Sequence, residues 1–384
     1  MTYMKPGKKK NKNVSYFSNE YIITNHGDIV SFIAMIIVLG LMFQFTAPIA
    51  KLFIIIQHNA TVNATTEVDK DTPMYTTGRR DLLAVIFYTL IAIVIHAVIQ
   101  EYILDKVNRK LHLSKTKHSK VNESGHLALF YIISAVWGAN IIYRERLFVS
   151  VPSLWEGYPH MYMSFWFKFY FICQICYWLH CFPELYFQRI KKDEMPSRVT
   201  YYSIYLVCIL GAYLLHFNRL AIVLLVVHYF VESIYHASRL FYFFGKTDVA
   251  KAGFLVWDVL FVLVRVLSVA LAFITFMLGL ERSAVDSVAW REGNFNTRLV
   301  RVNCLMLLCL LQGYLMWNFI TFHIKRIREY ISQRASRSPR KQQKKLGGGK
   351  SKADGEQQQD GGGAATNELT EVDRDLHEQR KKRA

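Results

Sequence analysis

An all-α polytopic membrane protein, with about eight transmembrane helices and both termini in the cytosol, is the fold class this sequence predicts. Three observations predict it. The 384 residues are 52% hydrophobic and 14% aromatic, yet they carry a formal net charge of +18. The apolar residues gather into runs of roughly 20, the length that crosses a bilayer as a helix. Lysines and arginines lie between those runs and are denser in every second loop.

Taken in order, the first run, 29–50, follows a basic tail (residues 1–28) that carries Lys5, Lys8, Lys9, Lys10 and Lys12. It exceeds the roughly 7–15 apolar residues of a cleaved signal peptide and reads as an uncleaved signal-anchor. The second run, 82–103, leads into Lys106, Arg109, Lys110, Lys115, Lys117 and Lys120. The third, 127–143, is short. The fourth, 160–182, is followed by Arg189, Lys191, Lys192 and Arg198. The fifth and sixth, 199–217 and 220–236, are joined only at Asn218-Arg219, which predicts a tight hairpin, and Arg239, Lys246 and Lys251 come next. The seventh and eighth are 254–280 and 299–323. The opposite loops are poorer in lysine and arginine, so eight spans with cytosolic termini satisfy every loop in one sense.

Four N-x-S/T sequons test that orientation. Asn59 and Asn63 fall in the first lumenal loop, whereas Asn13 and Asn122 fall on the cytosolic side. Glycan is expected only in the first loop, at Asn63 ahead of Asn59, which crowds the membrane. Residues 327–384, rich in Gly, Gln, Ser and Lys, bury too little to offset ordering entropy and are expected to be a disordered basic tail. The final Lys381-Lys382-Arg383-Ala384 resembles a dilysine endoplasmic-reticulum retrieval signal. All six cysteines lie inside apolar runs, so no secreted disulfide framework is expected. The pair Cys173-x-x-Cys176 lacks the further ligands and polar shell of a metal site. No cofactor is implied.

Ionisable side chains at membrane depth are costly and face a bundle interior or a wet cavity. Lys168 and Arg265 are the clearest, with His96, His180, His228 and Glu232 as further candidates. His228, Glu232, His236 and Arg239 form a stripe at i, i+4, i+8 and i+11, which suits either acid/base chemistry or a satisfied internal network. Asp258 shares a face with Arg265 two turns away without touching it. Two readings stand: a satisfied packing network, or a polar groove at Lys168, His228, Glu232 and Arg265 that shelters imperfectly hydrophobic peptide. His180 and Glu184 lie four apart with Pro183 between them and a basic loop beyond, which predicts the kinked cytosolic exit of the fourth span. One histidine and one carboxylate do not make a zinc site, and no nucleophile elbow or phosphate loop is present.

The run HAVIQEYILDKVNRKLHLSKTKHSKVNESGHLALFY, His96 to Tyr131, closely resembles the translocating chain-associated membrane protein family. NHGDIVSFIAMIIVLGLMF, YWLHCFPELYFQ, GAYLLHFNRL, SRLFYF and EGNFNTR extend the resemblance in order from Asn25 to Tyr330. It implies a TLC-type helical bundle, here over residues 117–326, after two preceding helices in 29–116. It also implies a non-enzymatic endoplasmic-reticulum protein beside the Sec translocon, contacting signal sequences and transmembrane segments of nascent chains and assisting their passage into lipid. Contact between the basic tail and anionic lipids or the ribosome is a further expectation. Ceramide synthases share the TLC fold and supply the rival reading, a TLC-type lipid enzyme or a lipid-binding membrane protein. Their adjacent histidine pair falls near Tyr201-Tyr202 and their His-Asp-x-x-Asp stretch on residues 227–232. There His228 matches, Tyr229 replaces the first aspartate and Glu232 the second, so most of that acyltransfer constellation is missing. A secondary transporter gains little support, because neither an internal inverted repeat nor paired broken helices are visible.

Overall fold

The computed structural model describes residues 18–60, 73–113 and 115–346. Its helices are α1 (Asn19–Thr24), α2 (His26–Leu39), α3 (Ala47–Ile54), α4 (Asp81–Ile99), α5 (Asp105–Leu111), α6 (Lys115–Arg144), α7 (Phe165–Phe187), α8 (Met195–Leu214), α9 (Asn218–Phe243), α10 (Thr247–Phe273) and α11 (Arg298–Leu346). Short strands β1 (Asn59–Ala60), β2 (Met74–Tyr75) and β3 (Met163–Ser164) pair antiparallel in that order. The chain is an all-α polytopic membrane protein. Among the described residues, five helices are long and apolar enough to cross a membrane: Asp81–Leu111, Lys117–Arg144, Asn218–Phe243, Thr247–Ser283 and Arg298–Glu329.

Several elements differ from the hydropathy reading, each for a local reason. The first apolar run is two helices, α2 and α3, parted by a short turn at Gly40–Met42. Thr46 Oγ1 donates to the Gly40 carbonyl at 2.7 Å, satisfying a group that the break releases. Pro48 sits at the start of α3, where its missing N–H costs nothing. α6 begins about a dozen residues before the apolar run, because its polar first turns are helical without being apolar. α7 continues past Pro183 to Phe187, so the proline lies within the last helical turns and does not end them. The α8–α9 turn falls at Leu215-His216-Phe217, one step before the expected Asn218-Arg219, with His216 at φ 61°. The final helix runs to Leu346, past residue 326 where the tail was expected to begin.

α7 is the centre of the bundle. It packs against α4 and α8 and buries Phe167, Tyr170, Phe171, Ile172, Trp178 and Cys181 on several faces. α6 lies along α9, α9 along α10, and α10 along α11. Hydrophobic burial does not drive helix association inside lipid, so close approach depends on small residues. Gly138 on α6 is such a point, since an added Cβ would meet Val226 Cγ2 at 2.4 Å. Gly253 on α10 lets Ser238 of α9 approach in the same way. Outward apolar side chains such as Leu255, Leu263 and Leu310 are left for lipid.

Candidate functional site

The α9 stripe does not face a packed neighbour along its whole length. It lines a cavity of about 790 Å³ between α8, α9, α10 and α11. Most of the wall is apolar: Leu220, Leu224, Phe261, Phe276, Leu308 and Leu315. Polar groups enter from each helix: Tyr201 and Tyr205 from α8, His228, Glu232, His236 and Arg239 from α9, Trp257 and Arg265 from α10, and Gln312 from α11. A smaller cavity of about 340 Å³ lies in the seam between α8 and α11, sharing Ile204, Val207, Cys208, Leu307, Leu311 and Tyr314 with the larger one. Val207, Leu310 and Tyr314 on that seam are exposed. The cavity therefore opens sideways, toward lipid.

One hydrogen-bonded network crosses its wall. Arg265 Nη1 donates to Gln312 Oε1 at 2.8 Å and Nη2 to His228 Nδ1 at 2.5 Å, with the guanidinium 4.8 Å from the Phe261 ring centroid. A guanidinium only donates, so His228 Nδ1 must be the acceptor and Nε2 must carry the proton. That Nε2–H donates to the Tyr205 hydroxyl oxygen. Tyr201 also donates to Tyr205, at 3.3 Å, and contacts Tyr131 on α6 at 2.9 Å. Glu232 Oε1 stands 3.9 Å from His228 Nδ1, beyond hydrogen-bond range.

This geometry says what His228 can do. A histidine base keeps a lone pair toward its substrate and has its other nitrogen oriented by a carboxylate, which stabilises the imidazolium. Here the orienting group is a cation, and the Nε2 lone pair is absent. The network suits binding and positioning better than proton abstraction.

Three of the four residues expected in an intramembrane groove, His228, Glu232 and Arg265, line this cavity. Lys168 does not. Its Nζ lies 2.7 Å from Asp81 Oδ1 at the start of α4 and donates to the carbonyls of Gln57 and Thr76 at 2.9 and 2.6 Å. Asp81 Oδ2 accepts in turn from Tyr213 OH at 2.8 Å and Gly78 N at 2.9 Å. Lys168 therefore ties α7 to the loops that carry β1 and β2. Asp258 pairs with His323 of α11 at 3.3 Å, away from Arg265.

His180 and Glu184 belong to a second polar cluster, which lines neither cavity. His180 Nδ1 donates to the Tyr177 carbonyl, leaving Nε2 to accept from His96 Nδ1 at 3.3 Å. His96 Nε2 then accepts from Gln188 at 3.1 Å, and Gln188 also donates to Glu184 Oε2 at 3.2 Å. His126 stacks on His96 with ring centroids 3.7 Å apart, and His26 Nε2 lies 3.9 Å from Glu184 Oε1. The cluster joins α2, α4, α6 and α7. Among the described residues no group of three or more His, Cys, Asp or Glu is placed to hold a metal ion.

Tyr205, Trp257, Gln312, His26 and His126 join these clusters without standing out as site residues in the sequence. Gln312 carried a usable signal, a lone amide inside the apolar run CLLQGYL. His26 and His126 carried none, because their partners lie on other helices. Asn59 is exposed at the start of β1. Asn63, Lys381 and Lys382 lie outside the described residues.

Comparison with known proteins places the whole bundle. The TLC domain family model matches residues 120–321. The chain is 41% identical over 330 residues to translocating chain-associated membrane protein 2 of Homo sapiens, covering 86% of this chain and 88% of that protein. The Mus musculus protein of the same description matches with the same identity and coverage. A more distant likeness, 23% over 184 residues, is to the sphingosine N-acyltransferase-like protein ALT7 of Alternaria alternata, covering 47% of this chain and 42% of that protein.

Proposed function

The chain belongs to the family of translocating chain-associated membrane proteins, and on that footing we propose that it assists cotranslational translocation and membrane insertion of nascent chains. It acts in the endoplasmic-reticulum membrane beside the Sec translocon, with both termini in the cytosol, and by binding rather than by chemistry. The observation that carries this reading is the laterally open cavity. A hydrophobic segment leaving the translocon lies along the α8–α11 seam with its weakly polar side toward His228, Glu232, Arg265 and Gln312. A polar side chain in hydrocarbon costs on the order of 2.5–3.5 kcal/mol for a charged group at mid-helix, and the wall lowers that cost.

The acyltransferase reading draws on the distant relative's name, and the hydrogen bonds of His228 weigh against it. Its Nδ1 faces Arg265 and its Nε2 proton is committed to Tyr205.

A photoactivatable residue at Val207 or Leu310 should crosslink to a ribosome-bound signal sequence stalled at the translocon. One at Leu255, on the outer face of α10, should not. Equal labelling from all three positions, or none from the seam, refutes the groove. Turnover of acyl-CoA and sphingoid base by the purified protein, lost in His228→Ala, overturns the non-enzymatic reading.

A further inference from the structure

One carboxylate on the larger cavity's wall is left open. Glu232 makes no hydrogen bond among the described residues, and neither of its oxygens is sealed from the cavity. Its neighbour His228 Nδ1, at 3.9 Å, already accepts from Arg265 and has no proton to offer. The cations nearby are turned into the wall. Arg265 is 3% exposed and the Arg239 side chain 2%, against 13% for the side chain of Glu232. Arg265 spends Nη1 on Gln312 and Nη2 on His228. The other lining glutamate, Glu123, is already matched, with Arg198 at 2.8 Å and Arg239 at 4.0 Å.

Depth and size select the occupant. Glu232 lies about 21 Å from the Asn218 end of α9 and about 17 Å from the Phe243 end, near the middle of a hydrocarbon core about 30 Å thick. A lipid headgroup stays at the interface, whereas a membrane-spanning segment carries side chains to any depth. A helix of 20 residues is about 30 Å long and 10–12 Å across, roughly 2,800 Å³. The cavity holds about 790 Å³. A helix cannot enter it whole, but a side chain projecting from a helix in the seam can.

Resting on the groove reading above, we propose that Glu232 is a specificity-determining residue. It selects nascent segments that carry a hydrogen-bond donor near mid-membrane, Lys foremost and Asn or Gln next, and disfavours those with Asp or Glu there. A lysine ammonium brings three protons and the opposite charge to two unpaired oxygens. An aspartate brings only acceptors and a like charge, the juxtaposition that selects against a wrong partner. Asn and Asp have nearly the same shape, so their contrast isolates hydrogen-bond sense and charge from size.

The test uses full-length protein with the photoactivatable residue at Val207, as wild type and as Glu232→Gln, which keeps the side chain's size and removes its charge. The guests are stalled nascent chains that differ at one mid-segment residue: Leu, Asn, Asp or Lys. Dividing each guest's yield in wild type by its yield in Glu232→Gln cancels that guest's own behaviour at the translocon. The ratio should be about tenfold for Lys, near one for Leu and below one for Asp, and in wild type Asn should exceed Asp. Glu232→Lys should invert the Lys–Asp order, and the ratios stand without it if that variant does not fold. Equal ratios for Lys and Asp, with the chains still crosslinked, refute the selection and leave the groove intact. No yield for any guest in wild type refutes the groove itself. A diazirine fatty acid that labels Val207 and is not displaced by the Lys guest shows a lipid-filled cavity and also overturns the proposal.

Discussion

Replacing Lys168 by methionine should damage this protein more than any surface substitution, and through folding rather than selectivity. The Lys168 side chain is fully buried, and that of Asp81 is 7% exposed. Methionine keeps most of the stem volume but removes the charge opposite Asp81 and the donors to the Gln57 and Thr76 carbonyls. Asp81 then keeps only two neutral donors, Tyr213 and Gly78. Breaking a buried pair from one side costs about 3–5 kcal/mol, because the remaining charge stays desolvated. At about 2–4 °C per kcal/mol for a unit of 150–250 residues, Lys168→Met should melt about 10 °C lower. Thermal aggregation of the detergent-purified protein, followed by size-exclusion chromatography, measures this. The double variant Lys168→Met/Asp81→Asn removes the stranded charge and should recover at least half the loss, which a merely steric effect would not allow. A single variant within about 1 °C of wild type, or a double variant no better than the single, refutes the account.

Four other outcomes follow from the sequence and the structure. Gly138→Val should lower stability by about 1–3 kcal/mol, because its side chain meets Val226 at the α6–α9 crossing. Gly211→Ala, with nothing within 4 Å, should be neutral to stabilising in the same melting assay. His160, in the loop before β3, is held by burial near pH 4 instead of 6.5 and donates from Nε2 to the Glu156 carbonyl. Its folded form stays neutral while the unfolded form protonates, so stability present above pH 6.5 is lost as pH falls toward 4, by up to about 3 kcal/mol. Limited proteolysis of the 145–162 loop should rise over that window, and His160→Gln should flatten the rise. Glycosidase should shift the protein's gel mobility unless Asn63 and Asn59 are both changed to Gln. Asn122→Gln should leave the shift intact, since Asn122 accepts from Asn108 inside the packed α5–α6 corner.

The fold class was legible because long apolar runs separated by basic loops leave a membrane few alternatives. Hydropathy could not delimit α6, whose first turns are helical but polar, or see the break between α2 and α3, where Gly40, Thr46 and Pro48 interrupt an otherwise apolar run. α7 is a long helix whose apolar character is diluted by Lys168, Gln174, His180 and Glu184, all buried at the bundle centre. His228, Glu232 and Arg265 were legible as candidate site residues, since an ionisable group at membrane depth marks itself. Lys168 marked itself equally and was misplaced, because its partner Asp81 lies 87 positions away beside Arg79 and Arg80, in what reads as a loop. A one-dimensional pattern registers the cost of a buried charge but not what offsets it.

The contrast between the two intramembrane cations separates support from site. An ammonium has three protons, and Lys168 directs Nζ to three oxygens, two of them carbonyls from the loops around β1 and β2. Nothing remains for a ligand, and the consequence of removing it is structural. Arg265 has five N–H bonds in a fixed fork and also spans two helices, through His228 and Gln312, but its Nε has no partner among the described residues. It stands on the wall of a cavity open to lipid, beside Glu232, whose carboxylate lies 3.9 Å from His228 Nδ1. Arg265 therefore belongs to the wall of the laterally open cavity, and the two hydrogen bonds of His228, one from Arg265 and one to Tyr205, weigh against its acting as a base there.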